Sequence, residues 1–340
     1  MSIVINGEEK KIGLALSGGG FRAACFHLGV FRKLNELNLL WNLDLISCVS
    51  GGSIAGAFIA SKWGDDNVLV ELENYLAEKS IAISSVLWGI INPWASRIDE
   101  LAISYKNDLY GTTVLDDLKN GPRIYLNATN LVTGNLFSFV AGRGVDSEIG
   151  DYELGFVTAP EFPIYRAVAA SSAFPPVFNP LQLDSKYYKP PTEDVKFEYV
   201  TLTDGGVYDN MGINPLMLIK RNPLDYAIIS DGGKPFEDRR RPTRSGFKTL
   251  VEAISIQMEQ IRGLEFDRIK YAHDAERGPK PLWFSIDSKK GEARKGDAAA
   301  ASAIATDLKK LSKKDREVLI RQGGALVEAR LKKYAPELLS

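Results

Sequence analysis

Apolar and polar positions alternate in blocks along this chain, and the blocks predict strands feeding helices. Lys11 to Ser17 carries Ile12, Leu14, Ala15 and Leu16, a short apolar run that suits a central strand. Arg22 to Leu40 places Ala24, Leu28, Phe31, Leu34 and Leu37 at helical spacing. Asn42 to Val49 is a second strand, and Gly52 to Trp63 is a helix of small residues able to lie close on a sheet. This β-α-β-α start is the unit of a parallel sheet.

Further on, Asn67 to Ser80 predicts an amphipathic helix. Ile81 to Trp94 is strongly apolar, uncharged and holds Trp88 and Trp94. It reads either as a buried segment on the core or as a lid or lipid-facing stretch. Arg123 to Thr129 and Asn135 to Val140 form a hairpin-like strand pair. After Tyr165 to Ser172, Pro175 and Pro176 break any helix. Lys186 to Val195 is a polar surface loop. Strands end at Asp204-Gly205-Gly206 and at Asp231-Gly232-Gly233. The four arginines between Glu237 and Arg244 read as a solvated loop. Thr249 to Lys270 is a long helix, Leu282 to Ile286 a last strand, and Ala298 to Tyr334 helical with an interruption at Gly323-Gly324. One doubly wound domain over residues 1–340 is the expectation.

Composition narrows the function classes. The 340 residues are 45% hydrophobic and 25% charged, with 42 basic against 43 acidic side chains. A formal charge of −1 gives no concentrated basic face for nucleic acid. Cys25 and Cys48 lie in apolar stretches and read as free thiols. Neither a secretory signal nor an apolar run of membrane-spanning length is found, so a cytoplasmic protein is expected.

Two glycine-rich turns carry the chemistry. In Cys48-Val49-Ser50-Gly51-Gly52, Ser50 falls on a strand-to-helix turn, the place of a nucleophile elbow, with Cys48 where that elbow often has glycine. The alternative is a serine capping the next helix. Gly18, Gly19 and Gly20 present consecutive amides at a helix start, suited to an oxyanion. The same run also fits a dinucleotide fingerprint, Gly18-x-Gly20-x-x-Ala23, although the second strand ends without an acidic residue. Arg22 would hold the loop or meet a phosphate. For a base, His27 reads as a packed helix residue, while His273 satisfies the chain order of a triad without a turn to place it. Asp204 and Asp231 both end strands. In a parallel sheet Ser50 and Asp204 would share the edge where strands terminate, and a carboxylate on the serine can act as general base.

Gly18-Gly19-Gly20-x-Arg22, Val49-Ser50-Gly51-Gly52 and Asp204-Gly205-Gly206 resemble, in order, the three signatures of patatin-like phospholipases. Ala169-Ala170-Ser171-x-Ala173-x-Pro175 resembles a further stretch of that family. The resemblance runs from about residue 11 to 230, with a helical C-terminal extension at about 298–340. It implies a three-layer α/β/α fold with a mostly parallel central sheet. It also implies a Ser50–Asp204 dyad, an oxyanion loop at Gly18–Gly20 supported by Arg22, Gly51 and Gly52, and no metal or cofactor. The implied activity is hydrolysis of phospholipid or related acyl esters at a peripheral membrane surface. Two other readings remain at this point, a nucleotide-binding oxidoreductase and a lipid-binding relative without catalysis.

Overall fold

A computed structural model describes residues 3–80, 97–233, 235–236, 243 and 245–339, with the Phe247 side chain left aside. The tryptophan-bearing stretch from Ile81 to Trp94, with the expected lid contacts Trp88 and Trp94, lies outside the described residues, as does most of the arginine run.

Strands β1 (Ile3–Ile5) and β2 (Glu8–Lys10) form a small hairpin that the polar N-terminus did not announce. Among the described residues the main sheet has ten strands. Its core half is parallel, in the order β12 (Lys280–Ser285), β11 (Tyr226–Asp231), β3 (Ile12–Leu16), β4 (Leu45–Val49) and β5 (Arg123–Asn130). Beyond β5 the chain continues antiparallel through β6 (Leu136–Ala141), β7 (Glu148–Asp151) and β8 (Gly155–Thr158). Strand β10 (Thr201–Asp204) pairs antiparallel with both β9 (Leu181–Gln182) and β5.

Alternation along the strands builds a core on each face, because successive side chains point to opposite sides. Ile12, Leu14, Leu16, Ile46 and Cys48 join α1 (Gly20–Glu36), α2 (Gly51–Ser61) and α3 (Val68–Glu78) in the larger core. Ala15, Leu45, Ala227 and Ile229 join Ile213, Leu216 and Ile269 in the smaller one. The result is the three-layer α/β/α arrangement.

The predicted break at Gly323-Gly324 is absent: one helix runs from Lys313 to Tyr334. Those glycines let two helices touch. A Cβ on Gly323 would overlap the Phe26 carbonyl oxygen, and one on Gly29 of α1 would overlap that of Ile320. Gly29→Ala therefore has a predictable sign. Helix propensity favours alanine by about 1 kcal/mol, whereas forcing a packed contact apart costs typically about 1–3 kcal/mol. A net loss of stability is expected in urea denaturation; unchanged or raised stability would show that the crossing relaxes freely.

Candidate active site

Strand β4 ends at Val49 and the chain turns at once into α2. Ser50 takes φ 50° and ψ −116°, a left-handed backbone that a side chain adopts only under strain of about 1–3 kcal/mol. Its hydroxyl makes no cap bond to α2, which sets aside the capping reading. The turn holds because Gly51 backs onto Gly20, where a Cβ would overlap the Gly20 carbonyl oxygen. The Cys48 departure is absorbed inside α2: the thiol fills the place a Cβ on Gly56 would need. Cys48 and Cys25 are both free and buried, and burial raises both thiol pKa values, Cys25 to about 12.

Asp204 does not arrive on the parallel strand that the sequence predicts. Strand β10 is antiparallel to β5. It occupies the stretch of β5 just past the end of β4, with Val49 opposite Asn127 and Asp204 opposite Ala128. The two strands therefore run toward each other along the same side of β5 and meet tip to tip. This juxtaposition puts Ser50 against Asp204.

The motif between elbow and aspartate holds both ends. Ser171 Oγ accepts the Ser50 amide at 2.9 Å and pairs with Ser53 Oγ at 2.7 Å. The Ala173 carbonyl accepts the Asp204 amide at 3.1 Å, and the Ser171 carbonyl accepts that of Gly205 at 3.3 Å. The residues of this stretch are clamps, and only the tertiary pairing reveals what they hold. Asn127 adds a third tie, donating to Ser47 Oγ and to the Cys48 carbonyl.

Asp204 is buried, with 1% of its surface exposed. Oδ1 accepts the Gly206 amide at 2.7 Å, and glycine directly after the acid is required because a Cβ on Gly205 would overlap the Asn127 carbonyl oxygen. Burial drives the carboxyl upward to about 7; the Gly206 amide on Oδ1 and, less strongly, the nearby Ser50 hydroxyl favour the charged form, while Oδ2 is buried with no hydrogen-bond partner among the described residues. Asp231, the competing acid, is spoken for: Oδ2 accepts from Arg262 Nε at 2.5 Å and Oδ1 from the Gly233 amide at 3.1 Å.

The three glycines of the first turn divide. The Gly18 amide is spent on the Asn210 carbonyl at 3.0 Å, which removes it from the expected donor set. Gly19 and Gly20 line the same cavity as Ser50, and their amides have no acceptor among the described residues. Arg22 is fully buried and donates to the carbonyls of Ile304 and Gly232 at 3.1 and 3.0 Å. It ties the turn to two other loops and is not open to a phosphate. The next helix amide, of Phe21, is given to the Asp307 carbonyl at 2.9 Å and so is missing from the donor row a pyrophosphate would use.

Neither histidine reaches the pair. His27 Nε2 donates to the Ser17 carbonyl at 3.0 Å, so Nδ1 accepts from Ser230 Oγ at 2.8 Å. Burial holds the ring neutral, with its pKa pulled down to about 4. His273 ends the long helix Gly246–Asp274, beside Gly278 and just ahead of the start of β12. That is the sheet edge opposite the ends of β3 and β4. We expect His273→Ala to retain ester hydrolysis within about two-fold, as surface changes away from a site do; a large loss in kcat would reinstate a triad.

A cavity of about 360 Å³ opens on Ser50 and Asp204. Phe174, Val177, Phe178, Val251, Met258 and Leu308 give it a long apolar wall, and Arg262, Glu259 and Asp307 a polar flank. No helix of the described residues is long and apolar enough to cross a membrane.

A sequence comparison with curated proteins gives no match. In structure, the chain is similar to human GIVD cytosolic phospholipase A2, with a TM-score of 0.60 and 15% identity over 97% of this chain and 60% of that one. It is similar also to the same human protein in complex with methyl gamma-linolenyl fluorophosphonate and terbium chloride, at TM-score 0.57 and 14% identity, over 97% and 59% of the two chains. The chain thus spans about three fifths of the length of these structures, and the likeness is one of fold. The family model for patatin-like phospholipase matches residues 14–217, from the glycine turn through the Asp204 motif. With well over half of its length inside that match, the chain belongs to the patatin-like phospholipase family.

Proposed function

We propose that the protein is a lipid acyl hydrolase working through Ser50 and Asp204. The observation that carries this reading is the tip-to-tip meeting of β4 and β10, which sets a strained serine beside a buried carboxyl at the mouth of an apolar cavity. Ser50 Oγ attacks the ester carbonyl carbon while Asp204 takes its proton. The charge that develops on the carbonyl oxygen is met by the Gly19 and Gly20 amides, each such donor being worth roughly 3–4 kcal/mol in the transition state. Protonated Asp204 then gives its proton to the departing alcohol, and water releases the acyl group in a second, mirrored step.

The apolar wall suits an acyl chain, so the substrates are phospholipids or related acyl esters drawn from a membrane surface. Chromatographic or mass-spectrometric detection of free fatty acid from a panel of phospholipids and lysophospholipids tests this. Release by the wild type and none by Ser50→Ala supports the reading; vesicle binding without any fatty acid would make the chain a non-catalytic lipid binder.

Because the base must be ionised, kcat/KM is expected to rise with pH and level off above the Asp204 pKa of about 7. A pH profile already flat from pH 5 would mean that the carboxyl is not the titrating base.

A further inference from the structure

The turn that follows Asp204 delivers a second polar side chain to the cavity, Asn210, for which the dyad has no use. Its main-chain carbonyl is structural, taking the Gly18 amide. Its side-chain amide is not: among the described residues neither Oδ1 nor Nδ2 has a hydrogen-bond partner. The side chain is half-buried on the cavity lining, so its free donor and acceptor are open to a ligand there.

Position says which ligand. A Cβ on Gly206 would stand 2.6 Å from Asn210 Oδ1 and 3.0 Å from Asp204 Oδ1. A Cβ on Gly18 would overlap the same Asn210 oxygen and stand 3.2 Å from Ser50 Cβ. Two absent Cβ atoms keep open a slot in which the amide sits between the serine and the carboxyl. The slot is itself held: Asp209 Oδ1 accepts the amides of Met211 and Gly212, and Oδ2 accepts both that of Asn214 and its side-chain nitrogen, fixing the backbone on either side of Asn210.

We propose that the Asn210 side chain holds the water that hydrolyses the acyl-enzyme. The inference rests on the Ser50–Asp204 reading above. In this step the water oxygen bonds to the acyl carbon, one of its protons passes to the Asp204 carboxylate, and its other O–H donates to Asn210 Oδ1. Collapse then breaks the bond between the acyl carbon and Ser50 Oγ, Asp204 returns the proton to Oγ, and the fatty acid departs. A water fixed by two partners is aimed at the carbon instead of tumbling beside it. Acylation needs no such water, so the role is confined to the second half of the reaction.

The test separates the two half-reactions with a soluble p-nitrophenyl ester in stopped flow, alongside the rate of fluorophosphonate labelling. In Asn210→Ala, kcat is expected to fall roughly 10- to 100-fold, the scale of one lost hydrogen bond to a reacting group. A burst of one equivalent of nitrophenolate should precede the slow phase. The labelling rate and kcat/KM, which report acylation, should stay within about three-fold. Asn210→Leu keeps the volume of the slot and should behave the same way, which covers a folding defect in the alanine variant. Asn210→Ser, with a hydroxyl to offer the water, should recover part of kcat. Equal losses in labelling and in kcat, or no change in kcat, would overturn the proposal. If the wild type were not labelled at Ser50, the dyad itself would be wrong, and that outcome is read before any variant is compared.

Discussion

Ser50→Ala is expected to lower kcat/KM on acyl esters by about 10⁴-fold or more while leaving the fold intact, as removal of a nucleophile does in serine hydrolases. The size of the effect follows from the geometry. Ser50 is the hydroxyl that the elbow sets beside Asp204, and the remaining glycine amides can polarise an ester but cannot form the acyl-enzyme. Stability should move in the other direction, if at all. Alanine meets the same φ 50° demand at the turn as Ser50, and it gives up no cap bond, because the hydroxyl makes none to α2. A loss of activity accompanied by a collapse in melting temperature would instead point to a structural serine.

Asp204→Asn should remove turnover by about 10³-fold, within the range of a lost general base, and at the same time stabilise the protein at alkaline pH. The folded carboxyl titrates at about 7, against a reference value of 3.8. Between those two values the unfolded chain has released a proton that the folded chain still holds. Stability therefore falls as pH rises through that window, and above pH 7 the buried charge costs the fold on the order of 4 kcal/mol. Asparagine keeps an oxygen for the Gly206 amide and carries no charge to bury. The gap in urea-denaturation stability between variant and wild type should be near zero at pH 4, open between pH 4 and 7, and stay open at pH 8. A gap that is constant with pH would mean that the Asp204 charge is not what the fold resists.

Much of this was legible in the chain because the parts concerned are local. The apolar runs at Ile12–Leu16 and Leu45–Val49, each followed by glycines and a helical period, specify strand, turn and helix from neighbouring residues alone. The patatin-like motifs named Ser50 and Asp204. What stayed hidden depends on pairing across long stretches of sequence. The run ending at Asp204 looks like any strand, and nothing in it tells that it lies antiparallel to β5 and abuts β4. Gly18 resembles its two neighbours in sequence, yet its amide is consumed by Asn210, a residue nearly two hundred positions later. Gly323-Gly324 reads as an interruption because isolated glycines weaken a helix, whereas here they admit α1 at close range. Ser171 carries no chemical signature at all; its role as the clamp on the elbow exists only once the turn and the small helix Ile164–Ser171 are packed together.

The most direct test of the Ser50–Asp204 site is to treat the folded protein at pH 8 with a fluorophosphonate and map the modified residue by peptide mass spectrometry. One equivalent of phosphonyl group on Ser50, with labelling slowed at least about 100-fold in Asp204→Asn, is the predicted result. A phosphonyl group on any other residue, or labelling of Ser50 at the same rate without the aspartate, would contradict it.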